Sequence, residues 1–309
     1  MTAITSVQQA SACALERLFI TLDRAEIPWC VLHGYESLPR EIRSDVDCLV
    51  AAEAMPPASG LLTAVRRGCQ DSNAQVVQWL QHEATAHYLV IATKTEAGAL
   101  DYLRFDVSSD YRRNGRVFYD GQEILEHRRH DNGFWVPAPR HEFGYYLVKK
   151  IAKGDLTAAH GERLSQVYRQ DPAGCAAEIR RFWGEPSARL LERAASSGDW
   201  AEVQTKIVSL RRELLRRAGF RNPVSTVRYA VGESRRTVRR WLRPTGVWVV
   251  LLGPDGSGKS TVATASIERL RPAFRRTAQF HVLPRLFRKK GDGTVVTDPH
   301  GQAPRSRLA

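Results

Sequence analysis

The stretch WCVLHGYESLPREIRSDVDCLV, Trp29 to Val50, reads as a strand, a glycine turn, a polar loop and a second strand. The first strand, Trp29-Cys30-Val31-Leu32-His33, follows Pro28 and stops at Gly34, the residue type that allows a sharp reversal. The second is Asp45-Val46-Asp47-Cys48-Leu49-Val50. Side chains two apart on a strand share a face, so Asp45 and Asp47 project together while Val46 and Cys48 turn to the core. Two carboxylates held this close repel unless a cation lies between them, and an all-oxygen site suits Mg²⁺. The alternative is a solvated strand end with ordinary surface carboxylates.

Working outward, Leu15, Leu18, Phe19 and Leu22 recur at helical spacing, predicting an amphipathic helix that ends by Pro28. Downstream, Leu103, Phe105 and Val107 alternate with Arg104 and Asp106, predicting a strand with Asp106 on its polar face. Asp106 could complete a three-carboxylate cluster. Asp101 is a weaker choice because it shares the apolar face.

Gly34, the Asp45-x-Asp47 pair and a third Asp on a later strand resemble the nucleotidyltransferase superfamily, which moves a nucleotidyl group with two metal ions. The resemblance implies a mixed sheet with helices. It also implies that Gly34 approaches a triphosphate, that Asp45 and Asp47 ligate the metals, and that Asp106 is both ligand and base for the incoming hydroxyl. Tyr35 departs from the family, which has Ser or Gly at that position.

From His141 the pattern turns helical. Phe143, Tyr146, Leu147 and Ile151 form one stripe and Val203, Ile207, Leu210 and Leu214 another, with shorter pieces between them broken at Gly154, Pro172, Pro186 and Gly198. His141 and His160 read as surface or capping residues. Arg221 to Arg243 then carries seven arginines against one acid, Glu233, with Tyr229 and Trp241 interleaved. A solvated basic linker helix, a helix lying on anionic lipid and a nucleic-acid contact are the three readings, in that order.

The segment VWVVLLGPDGSGKST, Val247 to Thr261, satisfies G-x-x-x-x-G-K-[ST] at Gly253, Gly258, Lys259 and Ser260. An apolar run, Val247 to Leu252, predicts a buried strand before the loop, and Val262, Ala265, Ile267 and Leu270 predict a helix after it. Consecutive N–H groups of Gly253, Asp255, Gly256, Ser257, Gly258 and Thr261 would face the phosphates of ATP. Lys259 would be the catalytic cation, and Ser260 would hold Mg²⁺. With its acidic Asp255, the loop resembles that of thymidylate-kinase-like nucleoside monophosphate kinases. That family implies a further Asp-Arg strand and an Arg-bearing lid, whereas 48 residues follow Thr261. These residues offer one strand, Ala278 to Leu283, and a polar tail in which Thr294 to Asp298 reads as an exposed loop. The expectation is a fragment of a longer protein, loosely ordered beyond Val247 and inactive by itself as a kinase.

A chain of 309 residues with 43% hydrophobic and 26% charged residues is long enough for two domains and has ordinary globular composition. Its formal net charge of +13 favours anionic partners. The five cysteines, odd in number and without C-x-x-C pairs, predict free thiols in a cytoplasmic protein.

The whole reads as an α/β and α+β chain. It comprises a nucleotidyltransferase-like domain over 1–140, a helical subdomain over 141–220, a basic linker over 221–245 and a partial P-loop domain over 246–309. This order resembles two-module proteins of bacterial polysaccharide gene sets. The first functional expectation is an ATP-binding, kinase-like protein acting on a nucleotide-like or sugar-like acceptor. The alternatives are an Mg²⁺-dependent nucleotidyltransferase and an inactive nucleotide sensor or scaffold. The expected partners are a nucleotide, an acceptor of unassigned identity and an anionic membrane surface reached through the linker, with nucleic acid ranked below them.

Overall fold

An amphipathic helix opens the fold and supplies the lid of its first core. In the computed structural model, whose description covers residues 6–279 other than 57, 59, 84, 96–97, 114, 222, 243–246, 255 and 275–276, α1 spans Ser6–Arg24. It buries the expected stripe of Leu15, Leu18, Phe19 and Leu22. The chain continues through β1 (Trp29–Val31), β2 (Val46–Val50), α2 (Gly60–Asp71), β3 (Ala74–Glu83), β4 (Ala86–Lys94) and β5 (Leu100–Ser108).

These strands form one mixed sheet in the order β1-β2-β5-β4-β3. β1 and β2 run antiparallel, whereas β2 and β5 run parallel. A parallel neighbour needs a crossover connection, and α2 with the β3–β4 hairpin supplies it. Strand alternation then sorts the two faces. Val46, Cys48 and Val50 of β2 and Leu103, Phe105 and Val107 of β5 pack under α1 and α2. Leu49, on the opposite face of β2, joins a second core built by the helices that follow.

Two small hairpins, β6 (Asp110–Arg113) with β7 (Arg116–Asp120) and β8 (Arg129–Asp131) with β9 (Phe134–Val136), flank α3 (Gly121–Glu126). The helical layer comprises α4 (Pro139–Lys153), α5 (Ala158–Tyr168), α6 (Pro172–Phe182), α7 (Glu185–Ser197), α8 (Ala201–Thr205) and α9 (Ile207–Arg221). Gly154 and Gly198 end α4 and α7 as expected. Pro172 and Pro186 instead open α6 and α7, within the first turn, where a missing N–H leaves no helical bond unmade. α10 (Pro223–Leu242) covers most of the arginine-rich linker.

The chain divides into two units, Met1–Ser257 and Gly258–Ala309. The expected strand Val247 to Leu252 does not form: the segment has no regular structure, and its apolar side chains are exposed, Trp248 at 80%. Apolar composition makes a strand worth burying, but a strand also needs neighbours to bond its edges, and none pairs with it among the described residues. The second unit holds the expected helix, α11 (Lys259–Leu270). Asp255, Leu283 and the stretch from Thr294 to Asp298 lie outside the described residues, and Ala278 has no regular structure.

Candidate functional site

Strand register sets two of the three expected carboxylates side by side. Asp47 of β2 is the direct neighbour of Asp106 of β5, so two acceptor-only side chains emerge side by side from parallel strands. Asp45 stands just before β2, level with Arg104, whose Nη1 lies 3.7 Å from its Oδ1. Gly34 caps the turn after β1 with φ of 69°, and a Cβ placed there would meet nothing within 4 Å. The space on that side of Gly34 is open.

Tyr35, the residue after Gly34, turns away from that open side. Its side chain is buried, and its hydroxyl donates to Glu142 Oε2 at 2.5 Å. Arg163 Nη2 donates to the other oxygen of Glu142, so a buried carboxylate is satisfied from both sides. The ring packs edge-on against Phe134. The large ring faces inward and ties α4 to the turn.

What sequence reading missed is the positive half of the site. Lys149 of α4, only 8% exposed, places Nζ 3.1 Å from Asp47 Oδ2. His33 Nε2 lies 3.1 Å from the same oxygen and 2.7 Å from Lys149 Nζ, and one proton serves whichever contact it faces. Burial alone would raise the Asp47 carboxyl, but the His33 hydrogen bond and the Lys149 charge outweigh it and hold the group well below the usual carboxylate range. Burial and the Lys149 charge together press His33 toward its neutral form, against the pull of Asp47. Lys150 and Lys153 continue the cationic edge of α4. Burial lowers both; Asp155 and then Asp47 draw Lys150 back upward, and Asp47 draws back Lys153. On the other side, His82 Nε2 comes within 3.6 Å of Asp106 Oδ1.

A separate cluster lies where α3, α4 and α6 meet. Glu123, His141 and Glu178 each bring a ligand atom within 4.8 Å of the others, a set consistent with a divalent metal. Arg181 already reaches both carboxylates, at 2.5 Å and 2.9 Å to Glu123 and at 3.6 Å to Glu178, while Tyr119 donates to Glu178 at 2.6 Å. His141 is therefore not the expected surface or capping residue: at 1% exposure its Nδ1 has no hydrogen-bond partner. Burial and the Arg140 charge lower it to about 4. His160 does cap, closing the start of α5 with Thr157.

At the glycine-rich loop, Gly256 and Gly258 take left-handed conformations, with φ of 81° and 78°. Ser257 N–H donates to Pro254 at 3.3 Å, and Gly253 and Pro254 are exposed. Lys259, Ser260 and Thr261 form the first turn of α11, and Ser260 and Thr261 line a shallow hollow with Thr264, Ala265 and Glu268. Asp255 is outside the described residues.

No protein-family model and no curated protein matches the chain. Among solved structures, JHP933 from Helicobacter pylori is similar at 10% identity with a TM-score of 0.33, over 72% of this chain and 99% of that one. A structure described as a "putative nucleotidyltransferase" from H. pylori is similar at 10% identity with a TM-score of 0.31, over 66% of this chain and 94% of that one.

Proposed function

We propose that the first unit is an Mg²⁺-dependent nucleotidyltransferase whose site spans the β1–β2 turn, β5 and α4. The observation that carries this reading is the registration of Asp47 beside Asp106, with the Lys149 ammonium 3.1 Å from Asp47. Acceptor-only oxygens fit Mg²⁺, so Asp47 and Asp106 would hold it, with Asp45 at the edge. Mg²⁺ bound there supplies charge neutralisation for the triphosphate.

The remaining chemistry falls to the chain's own groups. Lys149, Lys150 and Lys153 bind the phosphate oxygens, and the open face of Gly34 lets backbone approach them. Asp106 orients the acceptor hydroxyl and takes its proton as the oxygen bonds to the α-phosphorus. The bond between the α-phosphorus and the bridging oxygen breaks, and pyrophosphate leaves with its electron pair. Pyrophosphate release from each of the four nucleoside triphosphates with Mg²⁺ and a panel of hydroxyl acceptors tests the reading. The wild type should release it with at least one triphosphate, and the double variant Asp45→Asn with Asp47→Asn should lose it. Release that survives in the double variant removes these carboxylates from the chemistry.

A second reading rests on the left-handed Gly256 and Gly258 ahead of α11. Glycines of this conformation and a helix N-terminus favour phosphate, so ATP would sit at Lys259 with Ser260 on Mg²⁺, as in a kinase-like phosphotransferase. Lys259→Ala should weaken ATP binding at least tenfold, measured by titration; equal affinity removes this reading. ATP binding without any turnover would favour the sensor or scaffold alternative.

A further inference from the structure

We propose that α10 is an interfacial helix that lays one apolar stripe into an anionic phospholipid surface. This inference is independent of either nucleotide site. Successive residues of a helix turn by about 100°, so Val227, Val231, Val238, Trp241 and Leu242 fall within an arc of about 100°. All five are exposed, Trp241 at 88% and Leu242 at 78%. Isolated exposed apolar residues are ordinary, but five on one stripe of one helix mark an interaction face.

The unit does not use this stripe to hold the helix. Tyr229 lies about 160–200° around the helix from the stripe's centre, and it packs on the β6–β7 hairpin. A Cβ at Gly115 would lie 2.7 Å from Tyr229 Cδ1, so only glycine lets the ring settle there. The face that docks and the face left bare are opposite ones. The bare stripe therefore points away from the body that carries the helix.

Charge identifies the occupant. Seven arginines against one acid crowd the segment from Arg221 to Arg243, and Arg235 is exposed beside the stripe. Arginine carries a long apolar stem beneath its charge, and tryptophan sits well at the boundary between headgroups and acyl chains. Apolar stripe, basic flank and terminal Trp241 together match a helix lying in the plane of an anionic interface, not one crossing it. Among the described residues no helix is long and apolar enough to cross. A protein partner would need an apolar groove with acidic groups matched to the basic flank, whereas an anionic bilayer presents that chemistry everywhere.

Co-sedimentation of the full chain with vesicles tests the proposal. Phosphatidylcholine vesicles containing phosphatidylglycerol should bind the protein at least tenfold better than phosphatidylcholine alone, with release at high salt. Arg235→Glu should weaken this at least fivefold, since each basic residue near an anionic surface is worth about that factor. The triple variant Val231→Ser, Val238→Ser and Trp241→Ser should abolish it with unchanged circular dichroism, because all three side chains are exposed. Equal binding to neutral and anionic vesicles, or no binding to either, overturns the proposal. So does self-association in lipid-free ultracentrifugation that the triple variant removes, which would assign the stripe to a second copy of the chain.

Discussion

Lys149 Nζ stands 3.1 Å from Asp47 Oδ2, and the two residues belong to different layers, α4 and the sheet. This contact gives the candidate site its own counter-charge and couples its geometry to the docking of the helical layer.

Removing that charge should therefore be felt twice. Lys149→Met leaves the half-buried Asp47 carboxylate with His33 as its nearest partner, and breaking a buried ion pair costs about 3–5 kcal/mol. Asp47 retains a quarter of its side-chain exposure, so the lower end of that range is expected in urea unfolding. Mg²⁺ should restore part of the loss in the variant, because the cation replaces the ammonium beside Asp47. A loss below about 1 kcal/mol would mean that water already screens the pair.

Tyr35→Phe should cost about 1–3 kcal/mol, the penalty for leaving one oxygen of the buried Glu142 unbonded. Tyr35→Ser, which recreates the small residue of the resembled family, should cost more because it also vacates the packing against Phe134. Equal stability of all three proteins would show that the inward ring does not pin the turn.

Stability should fall as pH drops from about 6.5 to 4. His141 titrates near 6.5 when unfolded but near 4 in the folded protein, so the unfolded state takes up the proton first. A depressed value contributes stability that is complete above the unfolded pKa and lost as pH falls toward the folded one. The full shift is worth roughly 3 kcal/mol. His33, also lowered, adds to the same limb, whereas the depressed Asp47 acts only below its ordinary 3.8. Unfolding curves at pH 7.5, 6 and 4.5 should show this slope, and His141→Gln should flatten most of it. An unchanged slope in the variant would assign the acid sensitivity elsewhere.

Local periodicity made the carboxylate half of the site legible. The alternation in Asp45-Val46-Asp47 and Leu103 to Val107 is a property of one strand at a time, and both strands form, with Asp45 just outside the first. Lys149 was unreadable for the opposite reason: it meets His33 across 116 residues, and nothing in the helical stripe of α4 says which lysine turns inward. His141 was misread on the same account, since its burial depends on α3 and α6, not on its neighbours in sequence. The β3–β4 hairpin and α2 went unread, although they carry the crossover that makes β2 and β5 parallel. The run Val247 to Leu252 shows the converse limit: apolarity announces what could be buried, while the partners that bury a strand are a fact of the rest of the chain.

The meeting of sheet and α4 at Asp47 also sets an order in time. During synthesis the carboxylates of β2 and β5 emerge well before Lys149, and a chain grown only to β9 would hold Asp47 and Asp106 without Lys149, Lys150 and Lys153. If the carboxylates and the α4 lysines form one nucleotide site, as proposed, that site would be complete only once α4 has been made and docked, late in synthesis.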